Sequence, residues 1–193
     1  MNLNGTNAEV LLSVDSGTDK VHRPEGIDLD LAAGKMYWAD LTSVRRANLN
    51  GSNVEILVTP SPVEAFLQGF ALDLTNNKMY WSNPISNIIR RANLDGSDVE
   101  DLVSTNARSI DLDVANGKMY WIDAGSIRRS NLDGTSIETV TGFGDNKYGR
   151  ALALDPTEIP EPSSFVLCFT GLLLLTNIAL SRRVRWASKR GRS

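Results

Sequence analysis

The stretch Ser109-Ile-Asp-Leu-Asp-Val-Ala-Asn-Gly-Lys-Met-Tyr-Trp-Ile-Asp123 decides the fold, because close copies of it occur twice more in the chain. These copies run from Gly26 to Asp40 and from Gly69 to Asn83, and the three tryptophans are therefore 43 and 40 residues apart. An Arg pair and then Asn-Leu-Asx-Gly follow each copy. Such self-similarity indicates a repeat protein with a unit of about 40 residues.

Each unit has the pattern of four short strands. Apolar and acidic residues alternate in Ile27-Asp-Leu-Asp-Leu31, the period-two pattern of a strand with one buried face. The aromatic run that follows favours a packed sheet, and Asn50-Gly51 between two further runs predicts a type I′ hairpin. Four antiparallel strands per unit are typical of a β-propeller blade, and no 3.6-residue period supports a helical repeat.

The Tyr-Trp-x-Asp core, with Ile-Arg-Arg-Ala-Asn-Leu-Asp-Gly-Ser after it in the middle unit, resembles a known family. It looks like the YWTD repeats (class B repeats) of the low-density-lipoprotein receptor, which build a six-bladed β-propeller. The resemblance covers about residues 1–155 and implies a structural core at the aromatic and acidic positions of the units. These residues are Tyr37, Trp38, Asp40, Tyr80, Trp81, Asn83, Tyr120, Trp121 and Asp123.

The ends of the array predict an incomplete ring. Within a propeller segment of residues 1–157, partial units at 1–14 and 148–155 flank complete units at about 21–58, 65–103 and 108–141. Three complete units and two fragments make at most four blades, which would not reproduce the curvature of the family's six-bladed ring, although closure with four blades or pairing of two arcs stays open. Since Met1 is followed by no basic start and no apolar core, we expect further repeats and a signal peptide upstream.

The carboxy-terminal segment predicts a membrane anchor. Residues 158–162 form a Pro-Glu-Pro linker, residues 163–181 carry no charge, and residues 182–193 form a basic tail. As a helix, 19 uncharged residues would span roughly 28 Å, which just suffices for a bilayer core. The basic tail predicts a cytoplasmic end and leaves the repeats outside the cytoplasm.

The same segment resembles a PEP-CTERM sorting signal of Gram-negative bacteria. Its elements are Pro160, Glu161 and Pro162, a short apolar helix, and an arginine cluster that includes Arg182, Arg183 and Arg185. The resemblance implies processing by a membrane-embedded exosortase. It also implies a brief stay in the inner membrane, followed by release to the cell envelope or the outside.

Composition excludes several kinds of chemistry. Residues 1–162 hold 14 basic and 23 acidic residues, and a net charge of −9 would repel the phosphates of nucleic acid. One cysteine, Cys168, and one histidine, His22, cannot build a disulfide or a four-ligand zinc site. Asp28/Asp30 and Asp111/Asp113 lie on strands without the glycine turn of a calcium loop, so we predict structural carboxylates and no cofactor.

The leading hypothesis is a non-enzymatic extracellular or envelope protein that binds or scaffolds a protein or polysaccharide. Family propellers bind protein ligands on one face of the disc. A propeller hydrolase or lyase acting on sugars or lactones is the alternative, although no catalytic motif is found in the chain. A truncated, non-functional fragment is a further alternative, because an open array exposes blade edges.

Overall fold

The computed structural model describes residues 9–12, 23–59, 66–123, 125–142, 151–154 and 167–168. Every regular element in these ranges is a β-strand. Three antiparallel sheets of four strands follow one another along the chain, and in each the spatial order of the strands equals their sequence order. This confirms the predicted three blades of four strands each.

The strand bounds match between blades. Blade 1 consists of β1 (Gly26–Asp30), β2 (Lys35–Ala39), β3 (Val44–Asn48) and β4 (Glu55–Val58). Blade 2 consists of β5 (Phe70–Asp73), β6 (Lys78–Asn83), β7 (Ile88–Asn93) and β8 (Glu100–Ser104). Blade 3 consists of β9 (Ser109–Asp113), β10 (Lys118–Asp123), β11 (Ser126–Asn131) and β12 (Glu138–Gly142).

The first strands of successive blades lie side by side. Strand β1 contacts β5, β5 contacts β9, and β9 contacts the short strand β13 (Ala151–Leu152). First strands are therefore the inner strands of the array, and β13 continues their series after blade 3. Each blade has a front face toward the preceding blade and a back face toward the following one.

The helix predicted over residues 163–181 lies outside the described ranges except at two residues. Those two form β14 (Leu167–Cys168), which pairs antiparallel with β13, so the helical prediction is wrong at this point. The pairing gives the backbone of β13 a hydrogen-bonding neighbour that a lone two-residue strand would lack. Among the residues that are described, no helix has the length and apolar character needed to cross a bilayer.

The connection between the third and fourth strands differs from the prediction. A type I′ hairpin needs positive φ at both central residues, but Asn50 has none, whereas Gly51 has φ 82° and Asn53 φ 54°. Gly51 donates its N–H to the Asn48 carbonyl at 2.9 Å, and the Asn50 side chain accepts the N–H of Ser52 at 3.0 Å. The type I′ prediction is wrong. The connection is longer than two residues, the side chain of Asn50 caps it, and Gly51 is the fourth residue of a turn that begins at Asn48.

A β-bulge sits at one equivalent place in every blade. The pairing of the third and fourth strands shifts between Val44 and Arg45, and it shifts likewise in the two later blades. The shift leaves one outer-strand residue without a ladder partner, namely Leu57, Leu102 or Val140. The bulged residue thereby presents its backbone to the next blade.

The glycine of each Asn-Leu-Asx-Gly turn fits against this bulge. A Cβ atom on Gly96 would lie less than 3.0 Å from the Leu57 carbonyl oxygen, and one on Gly134 would lie 2.7 Å from that of Leu102. Both glycines also have positive φ, 88° and 81°. These turns therefore require glycine for their conformation and for the close approach between blades.

Candidate interaction surface

The aromatic pair of each second strand points its two rings to opposite faces of the blade. Tyr37 lies in the cluster between blades 1 and 2, which also contains Trp81 from the front face of blade 2. Tyr80 and Trp121 share the cluster between blades 2 and 3 in the same way. All these rings are buried, and their large area makes them the main apolar contacts between blades.

The acidic residue after the aromatic pair caps the following turn. Asp40 Oδ1 accepts the N–H groups of Thr42 and Ser43 at 2.8 and 2.9 Å. The other carboxylate oxygen lies 3.2 Å from Arg45 Nε, and both side chains are almost fully buried. Asp123 is similarly placed 3.5 Å from Arg128. The carboxylate thus holds the turn and the first arginine of the pair.

In blade 2 different residues cap this turn and pair with the first arginine. Asn83 still accepts the N–H groups of Ile85 and Ser86, at 3.0 Å each. An amide carries no charge for the arginine, and Arg90 instead pairs with Asp101 on the outer strand at 2.6 Å. The equivalent outer positions in blades 1 and 3 hold uncharged residues, Ile56 and Thr139, opposite the corresponding arginines. In blade 2 the acidic partner of the first arginine therefore lies on the outer strand. Asp101 compensates there for the replacement of the core aspartate by Asn83.

In blades 1 and 2 the second arginine of the pair joins neighbouring blades. Arg91 pairs with Glu100 at 2.8 Å and donates to the Leu132 carbonyl of blade 3 at 3.0 Å. Arg46 pairs with Glu55 and donates to the Leu94 carbonyl of blade 2 at 3.4 Å. The hydrogen bond from Arg46 lowers the pKa of Glu55 below its ordinary value of 4.5. These arginines are engaged by the scaffold.

The ion pair with the outer strand recurs in blade 3. Arg129 pairs with Glu138 at 2.5 Å, and this hydrogen bond lowers the pKa of the Glu138 carboxyl. Arg129 also donates to the Tyr120 hydroxyl at 3.4 Å.

The blade 2–blade 3 interface contains a polar network centred on Thr105. The Thr105 hydroxyl donates to Asp123 Oδ2 at 2.7 Å and accepts the indole N–H of Trp121 at 3.2 Å. In blade 1 the equivalent indole N–H, on Trp38, is buried and has no hydrogen-bond partner among the described residues. The segment before blade 1 that is equivalent to the one holding Thr105 lies outside the described ranges.

The carboxylates of the inner strands bind backbone groups. Asp28 accepts the N–H of Leu72 in blade 2 at 2.9 Å, and Asp111 accepts the N–H of Leu154 after β13 at 2.6 Å. Burial, with a smaller effect of Asp28, raises the pKa of Asp111. No group of three or more potential metal-ligating side chains occurs in the described part of the chain. The carboxylates at positions 28 and 111 join successive inner strands.

Asp30 and Asp113 end their inner strands and cap turns. Asp30 Oδ1 accepts the N–H of Ala33 at 2.9 Å, and Asp113 Oδ1 accepts that of Asn116 at 3.1 Å. The four aspartates of the two Asp-x-Asp pairs thus have separate structural partners.

Exposed apolar residues recur on the edge that carries the β1–β2 and β3–β4 turns and their equivalents; we call this edge the turn face. Leu31 and Leu74, which are 71% and 42% exposed, follow neighbouring inner strands. Val99 and Ile137 hold one equivalent position before the outer strands and are also exposed. A repeated apolar surface of this kind is a candidate binding site.

Carboxylates accompany these apolar residues on the turn face. Asp95 accepts the N–H and the hydroxyl of Ser97 at 2.9 and 2.6 Å, and Asp133 accepts those of Thr135 in the same way. These hydrogen bonds lower the pKa of both carboxyls, which keeps them ionised. The turn face therefore combines apolar groups with fixed negative charge.

The residues of the predicted sorting signal lie outside the described ranges. These are Pro160, Glu161, Pro162, Arg182, Arg183 and Arg185, and His22 is likewise outside them. Sequence reasoning missed the turn face, although apolar residues recur at positions 31, 74 and 114, and at 54, 99 and 137. That recurrence was the available signal, but it does not show which of these residues are exposed.

Comparison with known proteins places this geometry among propeller blades. No protein-family model matches the chain. A human low-density lipoprotein receptor-related protein 5-like protein is 33% identical over 84 residues, which is 42% of this chain and 31% of that protein. The chain therefore spans about a third of the length of this curated relative.

Two solved structures share the fold. A chain in the crystal structure of the nidogen/laminin complex is 21% identical with a TM-score of 0.60, over 67% of this chain and 51% of the other. Virginiamycin B lyase from Staphylococcus aureus is 17% identical with a TM-score of 0.57, over 70% and 46% of the two chains. At these identities the likeness concerns the fold alone, and one of the two proteins is an enzyme.

Proposed function

We propose that this chain, whose blades are YWTD-like β-propeller blades of the low-density-lipoprotein receptor class B type, is a non-enzymatic binding or scaffolding protein. The observation that carries the proposal is how the repeated residues are used. The recurring arginines, aspartates and aromatic rings contact one another within and between blades. The recurring residues exposed to solvent include apolar residues of the turn face, among them Leu74 and Val99.

The chemistry of the turn face favours a protein ligand over a polysaccharide. Leu31, Leu74 and Ile137 offer apolar contacts, and the ionised Asp95 and Asp133 favour basic groups. A partner segment with apolar and basic side chains would match both features.

Peptide display against the full chain tests this proposal. We expect selected peptides to be rich in apolar and basic residues, and Leu74→Asp to weaken their binding at least about tenfold, because it removes an apolar contact. Ile85→Asp is the matched control, since Ile85 is 58% exposed but lies in the β6–β7 turn at the opposite edge. Equal weakening by both variants, or peptides without this composition, would count against the turn face.

We also propose that the protein is exported and sorted through its PEP-CTERM-like segment. In this proposal an exosortase-like enzyme processes the chain in the bacterial inner membrane, and the repeats end in the envelope or outside the cell. The motif at Pro160, Glu161 and Pro162 with the arginine cluster supports it. A Pro160→Ala/Pro162→Ala double variant should accumulate unprocessed in the membrane fraction of an exosortase-positive host, and unchanged processing would refute the sorting role.

A propeller enzyme is the second candidate, favoured by the similarity to virginiamycin B lyase. Incubation of the full chain with a panel of lactones and cyclic esters, with and without divalent cations, separates the two functions. We expect no turnover above the uncatalysed rate. Metal-dependent turnover that is lost in a metal-free control would replace binding by catalysis as the function.

A further inference from the structure

The inner strand of blade 1 exposes side chains that the other blades bury. Ile27 and Leu29 are 61% and 44% exposed, whereas the equivalent Phe70, Leu72 and Ile110 are 5–8% exposed and Leu112 is partly buried. The difference comes from the neighbour, because the later residues pack on the back face of a preceding blade. The front face of blade 1 is therefore built for a contact that it lacks.

The outer part of this front face already has a neighbour. Residues 9–12 place the Leu11 carbonyl less than 3.0 Å from where a Cβ of Gly51 would lie, the relation that Leu102 has to Gly134. Leu12 packs on the cluster of Met36, Trp38 and Ala47. Residues 9–12 thus occupy the outer-strand position of a preceding blade, and the uncovered part is the inner-strand position.

The opposite end of the array offers the missing part. Strand β13 follows β9 as an inner strand, and Leu154 donates to Asp111 as Leu72 donates to Asp28. Ala151 and Ala153 are exposed. Ala153 is the equivalent of Asp28, whose side chain faces the next blade. Within the described residues, one end therefore has an inner strand, β13 with its partner β14, and no outer strand, whereas the other end has the position of an outer strand and no inner strand.

We propose that a second copy of this chain fills the gap head to tail, with β13 of one copy against β1 of the other. The contact continues the established series of neighbouring inner strands, and it brings Ala153 of one copy beside Leu29 of the next. The exposure of Ile27 shows that β13 of the same copy does not cover this strand. Such a heterologous contact closes into a ring or propagates as an open chain.

Sedimentation velocity of the full chain in mild detergent, over a concentration series, tests the proposal. We expect reversible self-association that Leu29→Asp weakens at least about tenfold, because a carboxylate would enter an apolar contact. Ile85→Asp, at a comparably exposed isoleucine away from both ends, should change the dissociation constant by less than about twofold.

Tryptophan fluorescence during urea unfolding shows whether each variant is folded. If Leu29→Asp does not fold, the milder Ile27→Ser replaces it, with the same expected direction. A chain that is monomeric at every concentration overturns the proposal. So does self-association that neither front-face variant weakens, since it would use another surface. Closed dimers and longer head-to-tail chains that these variants dissolve both support the contact.

Discussion

The glycine of the Asn-Leu-Asx-Gly turn permits the sharpest test of how the blades join. Gly134 has φ +81°, and a Cβ there would lie 2.7 Å from the Leu102 carbonyl oxygen of blade 2. Gly117, in the same blade, has φ +65° and no atom within 4 Å of its Cβ position. Alanine at both positions therefore separates the cost of the backbone conformation from the cost of the approach between blades.

The magnitude follows from these two costs. A left-handed conformation costs alanine about 1–2 kcal/mol, which is the full loss expected for Gly117→Ala. In Gly134→Ala the carbonyl must also retreat by about 0.7 Å to reach ordinary contact at 3.4 Å. Forcing an atom into a packed region costs about 1–3 kcal/mol more, so Gly134→Ala should lose about 2–5 kcal/mol.

Urea unfolding of the full chain, followed by tryptophan fluorescence, measures both losses, because Trp81 and Trp121 are buried between blades. Circular dichroism should give a coincident transition, which checks that the array unfolds as one unit. If Gly134→Ala and Gly117→Ala lose the same free energy, the glycine is needed only for its conformation. That result would refute the claim that the close approach between the bulge and the turn contributes to stability.

Three further outcomes follow from the contacts. Thr105→Val should cost about 1–3 kcal/mol in the same titration, because a buried indole N–H loses its acceptor, whereas Thr105→Ser should keep most of the stability; equal losses would contradict this. Asp101→Thr should lower the free energy of unfolding by up to about 1 kcal/mol, and by less when Asn83→Asp is also present. A double-mutant cycle that finds no coupling between these two positions would refute the compensation. Because the pKa of Glu138 is lowered in the folded state, its ion pair stabilises the fold fully above about pH 4.5, and this stabilisation is lost as the pH falls through the folded-state pKa. Glu138→Gln should therefore flatten the decline of the melting temperature at acid pH. An unchanged profile would exclude the ion pair as the source of that decline.

The strands were predictable because their patterns are local. Alternation in residues 27–31 and the aromatic run after it identified two strands of every blade, and the spacing of tryptophans identified the repeat. Asn50-Gly51 was interpreted as a local hairpin, but the position of its glycine depends on Leu11, 40 residues away in the sequence. Contacts between blades produce no periodic pattern in the local sequence, and neither does the bulge opposite Arg45.

The changed ion pair of blade 2 could also have been found from the sequence. Asp101 is acidic where the other units have Ile56 and Thr139, in the one unit that replaces its core aspartate by Asn83. Comparison of the three units alone would have suggested that the two changes belong together. The exposure of Leu74 could not be predicted, because apolar residues at the edge of a strand are buried or exposed according to the neighbouring blade.

The joint between blades has a consequence for how such an array arises. The back face of a unit carries a bulged carbonyl and an arginine. On the front face of the next unit, the turn glycine leaves room for the bulged carbonyl, and the leucine carbonyl of the same turn accepts the hydrogen bond from the arginine. A tandem duplication of one unit therefore creates a working interface at once, without any new mutation. Lengthening by gene duplication is easy for such a chain, and later divergence within a unit needs only paired changes such as those at Asn83 and Asp101.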